Sequence, residues 1–479
     1  MNNGRAEKTR SRLLDVEESD FSLIITLLLC AIFLVFISDI LHADDSPKAY
    51  DLQQAIAVAL ENNRLRTISQ QSLEIAEEQY QQARSAYWPN LSLNASFQRR
   101  DESVNFEYPA QRFDLMPGML PPVNIPPQEI DILGRDTSLY SLEMTYPLYT
   151  GGKRSSLIEQ ARLGVDIATH EVRRTNLQVV QDVKRYFYAA HYTQQLRDLA
   201  EEITISFEVL RDITQAFFEG GSNSVNKLDL LQSQLAYSLA AATHAEVASK
   251  HESALAALAF AMGLGWQEKI HLKDSDYTLS LPSDALDTLV DQALQFNPQV
   301  QQLSLAVEAY EAKIDEAMSD RYPMIGLVAS VDGFNNNLDG GLDTEANQDS
   351  WTLGIGMQLK LFNGGHTRHR VSAVRVGHSQ KEEQRLLLSE SIAAQVKHLF
   401  IQTHAAQRQI EITQQAVNTA QENRDLSSRA YQTGAVKTEK VIEANLMDAL
   451  VRANHYRSKH DQALHLAEIT YLLGKEVVE

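Results

Sequence analysis

Three short segments occur twice along the chain, in the same order, and this duplication constrains the fold more than any other feature. Ala83–Pro89 has a counterpart in Ala317–Pro323, Tyr146–Gly152 in Leu359–Gly365, and Ala216–Gly220 in Ala430–Gly434. A chain patterned this way consists of two copies of one structural unit. The first unit is expected over 44–266 and the second over 283–475. Between them, 267–282 reads as a linker carrying Asp274, Ser275, Asp276 and Pro282.

Each unit alternates between a helical and a strand periodicity. Lys153–Phe218 and Thr367–Tyr431 run for 66 and 65 residues without proline, which predicts two helices of about 100 Å. Leu196, Leu199, Ile203, Leu210, Ile213 and Phe217 follow a heptad seam broken only by Ser206. Shorter helices are expected over Tyr50–Ala86, Asn226–Met262, Ser283–Met318 and Lys437–Leu473. Two of them placed end to end match one long helix.

The remaining segments alternate with period two. Strands are expected at about 90–99, 139–149, 324–333 and 351–362. Trp351, Leu353, Ile355, Met357, Leu359 and Leu361 would share one face, opposite Thr352, Gly354, Gly356, Gln358 and Lys360. Alternation over about 10 residues, apolar on one side and polar on the other, is the pattern of a transmembrane β-barrel strand. Aromatic residues fall at both ends: Trp88, Tyr146, Tyr149, Tyr322 and Phe362 at a lower rim, and Phe97, Tyr140, Phe334 and Trp351 at an upper one. Rings of this kind favour the lipid headgroup level. A Pro-rich loop (about 100–138) and an Asn/Asp/Gly-rich loop (about 333–350) lie above the upper rim. Four strands cannot close a barrel, and open edges in lipid leave backbone groups unsatisfied. Two copies would give 8 strands and a filled interior, whereas three give 12 and a lumen. The polar inward face favours three. The expected fold is therefore a mixed membrane β-barrel and long α-helical coiled-coil barrel, with two repeats and four strands per protomer.

Charge and composition exclude several functions. Lys plus Arg number 43 against 63 Asp plus Glu, a net charge of −20, which argues against nucleic acid as a partner. Cys30 is the only cysteine, so the chain has no disulfide framework, cysteine metal site or second thiol. It lies in the apolar run Phe21–Ile37, behind Arg5, Lys8, Arg10 and Arg12. That arrangement resembles a secretory signal over 1–43 with cleavage after Ala43; a retained anchor is the other reading. Leu27-Leu28-Leu29 ahead of Cys30 lacks the small residues of a lipoprotein signal. No enzyme constellation emerges. His366 and His369 share a helical face without a third ligand, and zinc needs three or four. Gly354-Ile355-Gly356 sits inside an alternating strand, which rejects a dinucleotide loop. No cofactor is expected.

These residues together resemble the TolC-like outer-membrane efflux protein family. The carriers are Tyr146–Gly152, Leu361–Gly365 and Ala430–Gly434 with its continuation Val441–Ala444, while Leu60–Asn63 and Phe296–Pro298 are similar to the opening helix motif of each repeat. The resemblance implies a homotrimer with a 12-strand barrel in outer-membrane lipid and a 12-helix periplasmic tunnel. It implies docking on a periplasmic adaptor (membrane fusion) protein and an inner-membrane pump or ABC secretion transporter. Such a protein is a passive duct for efflux or type I secretion and has no catalysis of its own. The alternative is an exported coiled-coil scaffold or adhesin without a pore.

Asn63-Arg64 departs from the family in lacking the proline of Asn297-Pro298, and Lys440 is basic where the family often has an acid. Three-fold symmetry would gather the tips into rings, so a periplasmic gate is expected there. Asp229 and Glu443 supply its acids, Lys440 pairs with either across a protomer boundary, and Tyr431 adds a hydrogen bond. Gly220 and Gly434 are the matching turn glycines. The competing reading makes Lys440 and Glu443 a solvated pair one helical turn apart, worth a few tenths of a kcal/mol.

Overall fold

The structure, a computed structural model, describes residues 48–336 and 349–475, apart from 117, 223, 274–278 and 280. The expected signal segment 1–43 and residues 337–348 of the upper loop lie outside the described residues. The elements in chain order are β1 (Lys48–Tyr50), α1 (Leu52–Asn62), α2 (Arg64–Ser85), β2 (Asn90–Arg99), β3 (Val104–Tyr108), β4 (Gln111–Phe113), β5 (Val123–Ile125), β6 (Gln128–Leu133) and β7 (Asp136–Tyr149). Then follow α3 (Lys153–Glu219), α4 (Lys227–Ala261), β8 (Ile270–Leu272), α5 (Leu286–Phe296), α6 (Pro298–Ser319), β9 (Met324–Asn336), β10 (Asp349–Gln358), α7 (His366–Gln432) and α8 (Thr438–Leu472).

The proline-free stretches form the two long helices, α3 and α7, of 67 residues each. The shorter helices differ from expectation. Tyr50–Ala86 and Ser283–Met318 are not continuous; each is cut in two by an asparagine. Asn63 and Asn297 have extended backbone, with ψ of 123° and 122°, and their Oδ1 atoms accept from Leu65 N and Gln299 N, each at 2.9 Å. Pro298 promotes the second break, because a residue before proline avoids the helical region. At Asn63 the capping side chain suffices without one.

Each asparagine also makes a joint. Asn63 Nδ2 donates to Ala261 O at 2.7 Å, and Asn297 Nδ2 to Leu472 O at 3.0 Å, so the start of α2 is tied to the end of α4 and that of α6 to α8. The approach is close. A Cβ on left-handed Gly263 would stand 2.6 Å from the Asn62 carbonyl, and one on Gly474 2.4 Å from Phe296 O, so only glycine fits without a shift. Buried clusters surround the joints. Val183, Phe187, Leu258 and Met262 centre the first; Leu289, Ile392, Val396 and Ile469 centre the second. The linker adds to this core, because β8 pairs in parallel with β1 and buries Ile270.

Between the joints and the sheet the helices lie in the order α2–α3–α6–α7, and on the other side in the order α4–α3–α8–α7. The array is therefore open along α2 and α4 at one side and along α7 at the other. The sheet repeats this. Its antiparallel order is β10-β9-β7-β2, with β2 and β10 as unpaired edges.

The register aligns apolar residues in rows. Leu93, Leu142, Val331 and Trp351 form one row, Leu91, Met144, Ala329 and Leu353 the next, and Tyr146, Leu327 and Ile355 a third. Three local expectations are corrected. The fourth strand stops at Gln358, whose partner Met324 is the first residue of β9, so Leu359–Phe362 have no strand to pair with. Phe334 pairs with Leu139 and so shares the polar face with Ser330 and Asp332 instead of joining the upper aromatic rim. The Pro-rich loop contains two ribbons, β3 with β6 and β4 with β5.

Candidate functional site

Two surfaces hold the candidate residues: the two faces of the sheet and the helical hairpins at the far end. On the apolar face Leu91, Leu93, Trp351, Leu353 and Ile355 are between 63% and 76% exposed. A row of leucine and isoleucine this open to solvent needs an apolar medium or a partner. Tyr140 lies across Gly333, where a Cβ would come within 1.9 Å of its ring, and its hydroxyl donates to Asp349 Oδ1 at 2.8 Å. The other face is hydrophilic. Its rows run Asn94, Ser141, Asp332, Ser350 and Ser92, Glu143, Ser330, Thr352. Ser141 and Ser330 both donate to the Asp332 carboxylate. Gly354 and Gly356 leave open space on this side of β10.

At the far end α3 turns into α4 and α7 into α8. Both turns close the same way, with Ser222 N bonding Phe217 O and Ala435 N bonding Ala430 O. The left-handed residue that corresponds to Gly434 is Gly221, not Gly220; Gly220 remains helical at φ −73°. The sequence match paired Gly220 with Gly434 because the doubled glycine hides which member takes the turn.

The structure separates the other tip residues. Asp229 is spent on capping: its carboxylate accepts from Asn226 N at 2.9 Å while Asn226 caps α4 in return. Tyr431 is 4% exposed, and its hydroxyl meets Thr214 Oγ1 at 2.7 Å and Thr438 Oγ1 at 3.1 Å. It therefore ties α3 to both α7 and α8. Lys440 and Glu443 contact each other within one protomer, Nζ to Oε2 at 2.6 Å, on an exposed face. The Glu443 hydrogen bond raises the lysine above its usual value.

A buried charge network that the sequence reading missed lies further up the same hairpins. Glu202 of α3 accepts from Arg424 of α7 at 2.5 Å and from Arg452 of α8 at 2.7 Å; Arg424 also reaches Asp448 Oδ2 at 2.9 Å. Asp448 is fully buried, and burial pushes its carboxyl up although both arginines pull it down. Burial also acts upward on Glu202, but Arg452 and Arg424 outweigh it and hold that carboxyl low. Only the Asp448–Arg452 spacing was available as a signal, since Glu202 and Arg424 are 222 residues apart. Beside this network an apolar groove of about 450 Å³ runs between α3, α4 and α8, with Leu235, Leu239, Ile442 and Leu446 along its walls.

The sequence pattern of the family described as "Outer membrane efflux protein" matches residues 55–264 and 289–475. The chain is similar to the fusaric acid resistance protein FusA of Burkholderia cepacia, at 25% identity over 50% of this chain and 44% of that protein. It is also similar to the outer membrane protein TolC of Salmonella enteritidis, at 21% identity over 70% of this chain and 68% of that protein. The match thus spans under half of FusA and about two thirds of TolC. The crystal structure of the Campylobacter jejuni CmeC outer membrane channel has the same fold, with a TM-score of 0.73 at 14% identity over 88% of this chain and 85% of that one. Matched over two segments that together span most of it, the chain belongs to the outer membrane efflux protein family, a non-enzymatic family of the outer membrane.

Proposed function

We propose that three copies of this chain close into a 12-strand barrel standing on a 12-helix tunnel, and that the assembly is the exit duct of a tripartite efflux or type I secretion system. The observation that carries this reading is the pair of open edges. The sheet ends at β2 and β10, and the helical array ends on the same two sides, at α2/α4 and α7. Joining β2 of one protomer to β10 of the next satisfies both edges, and repeating the step closes the ring. Exposed apolar residues line the free flank of the array, with Leu228, Leu235 and Leu239 on α4 and Ile401, Ile412 and Leu426 on α7 each at least 52% exposed. Such flanks suit a second copy.

In this assembly the apolar face of the sheet meets lipid, and the face with Ser141, Glu143 and Asp332 lines the lumen. A periplasmic adaptor docks near the tips, and an inner-membrane pump or ABC secretion transporter supplies cargo. Relatives named for fusaric acid resistance and for alkaline protease secretion both match this chain, so the reading covers efflux and secretion alike. Lys440 and Glu443 would then surround the entrance as three-fold rings, with Asp229 and Tyr431 holding the turns behind them.

Two measurements test the reading. Unboiled, detergent-solubilised material should run as a trimer in the outer-membrane fraction; extraction without detergent would favour the pore-less scaffold. Ile355→Arg should weaken assembly by about 2–4 kcal/mol, the cost of a lipid-facing arginine near the midplane. Gly354→Ser, on the open lumen side, should assemble normally. Equal assembly of both variants overturns the assignment of faces.

A further inference from the structure

The lower hairpins carry two buried histidines and one half-buried one that the duct reading does not use. One stands at each of the three helix joints in the order α4–α3–α8–α7. His251 of α4 is 4% exposed, with Nδ1 at 3.2 Å from Ala190 O and 3.3 Å from Thr193 Oγ1 of α3. His455 of α8 is also 4% exposed, and its Nδ1 is 3.0 Å from Thr413 Oγ1 of α7. His460 of α8 stacks on Tyr192 of α3, with ring centroids 4.8 Å apart and planes 14° from parallel. Residues 190–193 of α3 are thus held between two imidazoles, one from each neighbouring helix.

We infer that His251, His455 and His460 form a proton-responsive belt that packs the tunnel joints while neutral and loosens them when the periplasm acidifies. The inference rests on the duct reading. Hydrogen bonding sets where the proton goes. Ala190 O can only accept, so His251 carries its hydrogen on Nδ1. Thr413 Oγ1 already lies 2.7 Å from Gln409 O, to which it donates, so it accepts from His455 Nδ1. In both rings the added proton must therefore enter at Nε2. On His460, Nδ1 is buried with no hydrogen-bond partner among the described residues.

The charged groups around each ring are mixed. His251 faces Arg197 and Asp198 of α3 and has Glu252 beside it; His455 has Lys459 on its own helix. His460 has Asp461 and His465 nearby. In all three cases burial is the largest influence and lowers the imidazole below its usual value. A group held low in the packed state contributes packing stability that is complete above the ordinary histidine value, near 6.5. That contribution is lost as pH falls through the lowered value, so acid favours the loosened joint. Asp448 acts in the opposite sense, because burial raises it and its protonation favours packing.

The test is single-channel recording of the assembled wild-type protein in planar bilayers between about pH 7.5 and about pH 5. Conductance or open probability should rise at least about threefold, with a midpoint below the ordinary histidine value. The triple variant His251→Gln, His455→Gln, His460→Phe should give a flat profile. A flat wild-type profile, or an unchanged response in the triple variant, overturns the inference. If the variant does not assemble, amide exchange of the wild type decides. Protection across 188–196 and 450–462 should fall on acidification after correction for intrinsic rates, and constant protection overturns the belt. A protein that forms no channel at any pH would defeat the duct reading itself, which separates the two failures.

Discussion

The second helix of each hairpin, α4 in the first repeat and α8 in the second, has 35 residues and follows the same turn, yet α8 buries more polar side chains. Besides its apolar residues α8 hides Thr438, Asn445, Asp448, His455, Ser458 and Gln462, whereas α4 hides only Ser233 and His251 among polar ones and exposes Leu228, Leu231, Leu235 and Leu239. Position explains the difference. α8 lies inside the four-helix order, packed on α3 and α7, where polar groups find partners; α4 is at the edge, and its leucines face outward. The caps differ too. Asn226 and Asp229 form a capping box on α4, while Lys437 offers α8 no side-chain cap. The two hairpins therefore share one shape and an apolar core, and the second adds polar contacts that depend on charge and geometry.

Breaking the polar hairpin should have the largest effect. Arg424→Ala removes one partner of fully buried Asp448 and should destabilise the helical region by about 2–4 kcal/mol in chemical denaturation. This is slightly below the usual cost of orphaning a buried charge, because Glu202 is partly open to water. Arg211, at the corresponding place on α3, pairs with Glu208 and Asp212 on the same helix and lies 4.2 Å from the Tyr237 ring centroid of α4. Arg211→Ala should therefore cost less than Arg424→Ala. Equal effects would erase the contrast between hairpins.

The joints offer a smaller comparison. Asn297→Ala should cost about 1–3 kcal/mol, because Leu472 O and Gln299 N lose a partner in a site 2% exposed. Asn63→Ala should cost less, since that residue is only half-buried and water can replace it. Thermal unfolding of the two variants side by side checks the order. The caps come next. Asn226→Ala should lose about 1 kcal/mol, and Lys437→Asn should gain a few tenths to about 1 kcal/mol by giving α8 the cap it lacks. Helicity of the tips during thermal melts reads both.

The smallest change concerns the exposed Lys440–Glu443 pair. Lys440→Glu replaces an attraction with a repulsion and should raise single-channel conductance, more at low salt than at high salt. A conductance unchanged at every salt concentration would show that this pair decorates the outside of the tunnel.

Much of this architecture is local and could be read from the chain. The absence of proline from 153–218 and 367–431 marks the long helices, and period-two alternation marks the strands, because side-chain direction repeats with backbone geometry. The duplicated Gly-Gly turns mark where sheet becomes helix. Local patterns were less informative where two conformations compete. Asn63 sits in a helical pattern with no proline after it, and its cap on Leu65 N together with its bond to Ala261 O shows why the helix breaks there. Gly220 and Gly221 are equally able to turn, and the hydrogen bonds at Phe217 O decide between them.

By itself the sequence determined the two long helices and the alternating faces of the strands. These follow from periodicity, which does not depend on what lies across a joint. Only the tertiary structure decided which side chains meet across the helices: Glu202 with Arg424 and Arg452, Tyr431 with Thr214, and His251, His455 and His460 with their joints. A helix face names the residues it presents but not the register of its neighbour. Along helices of 67 residues, a slip of one turn moves every contact by about 5.4 Å, enough to exchange each partner for another.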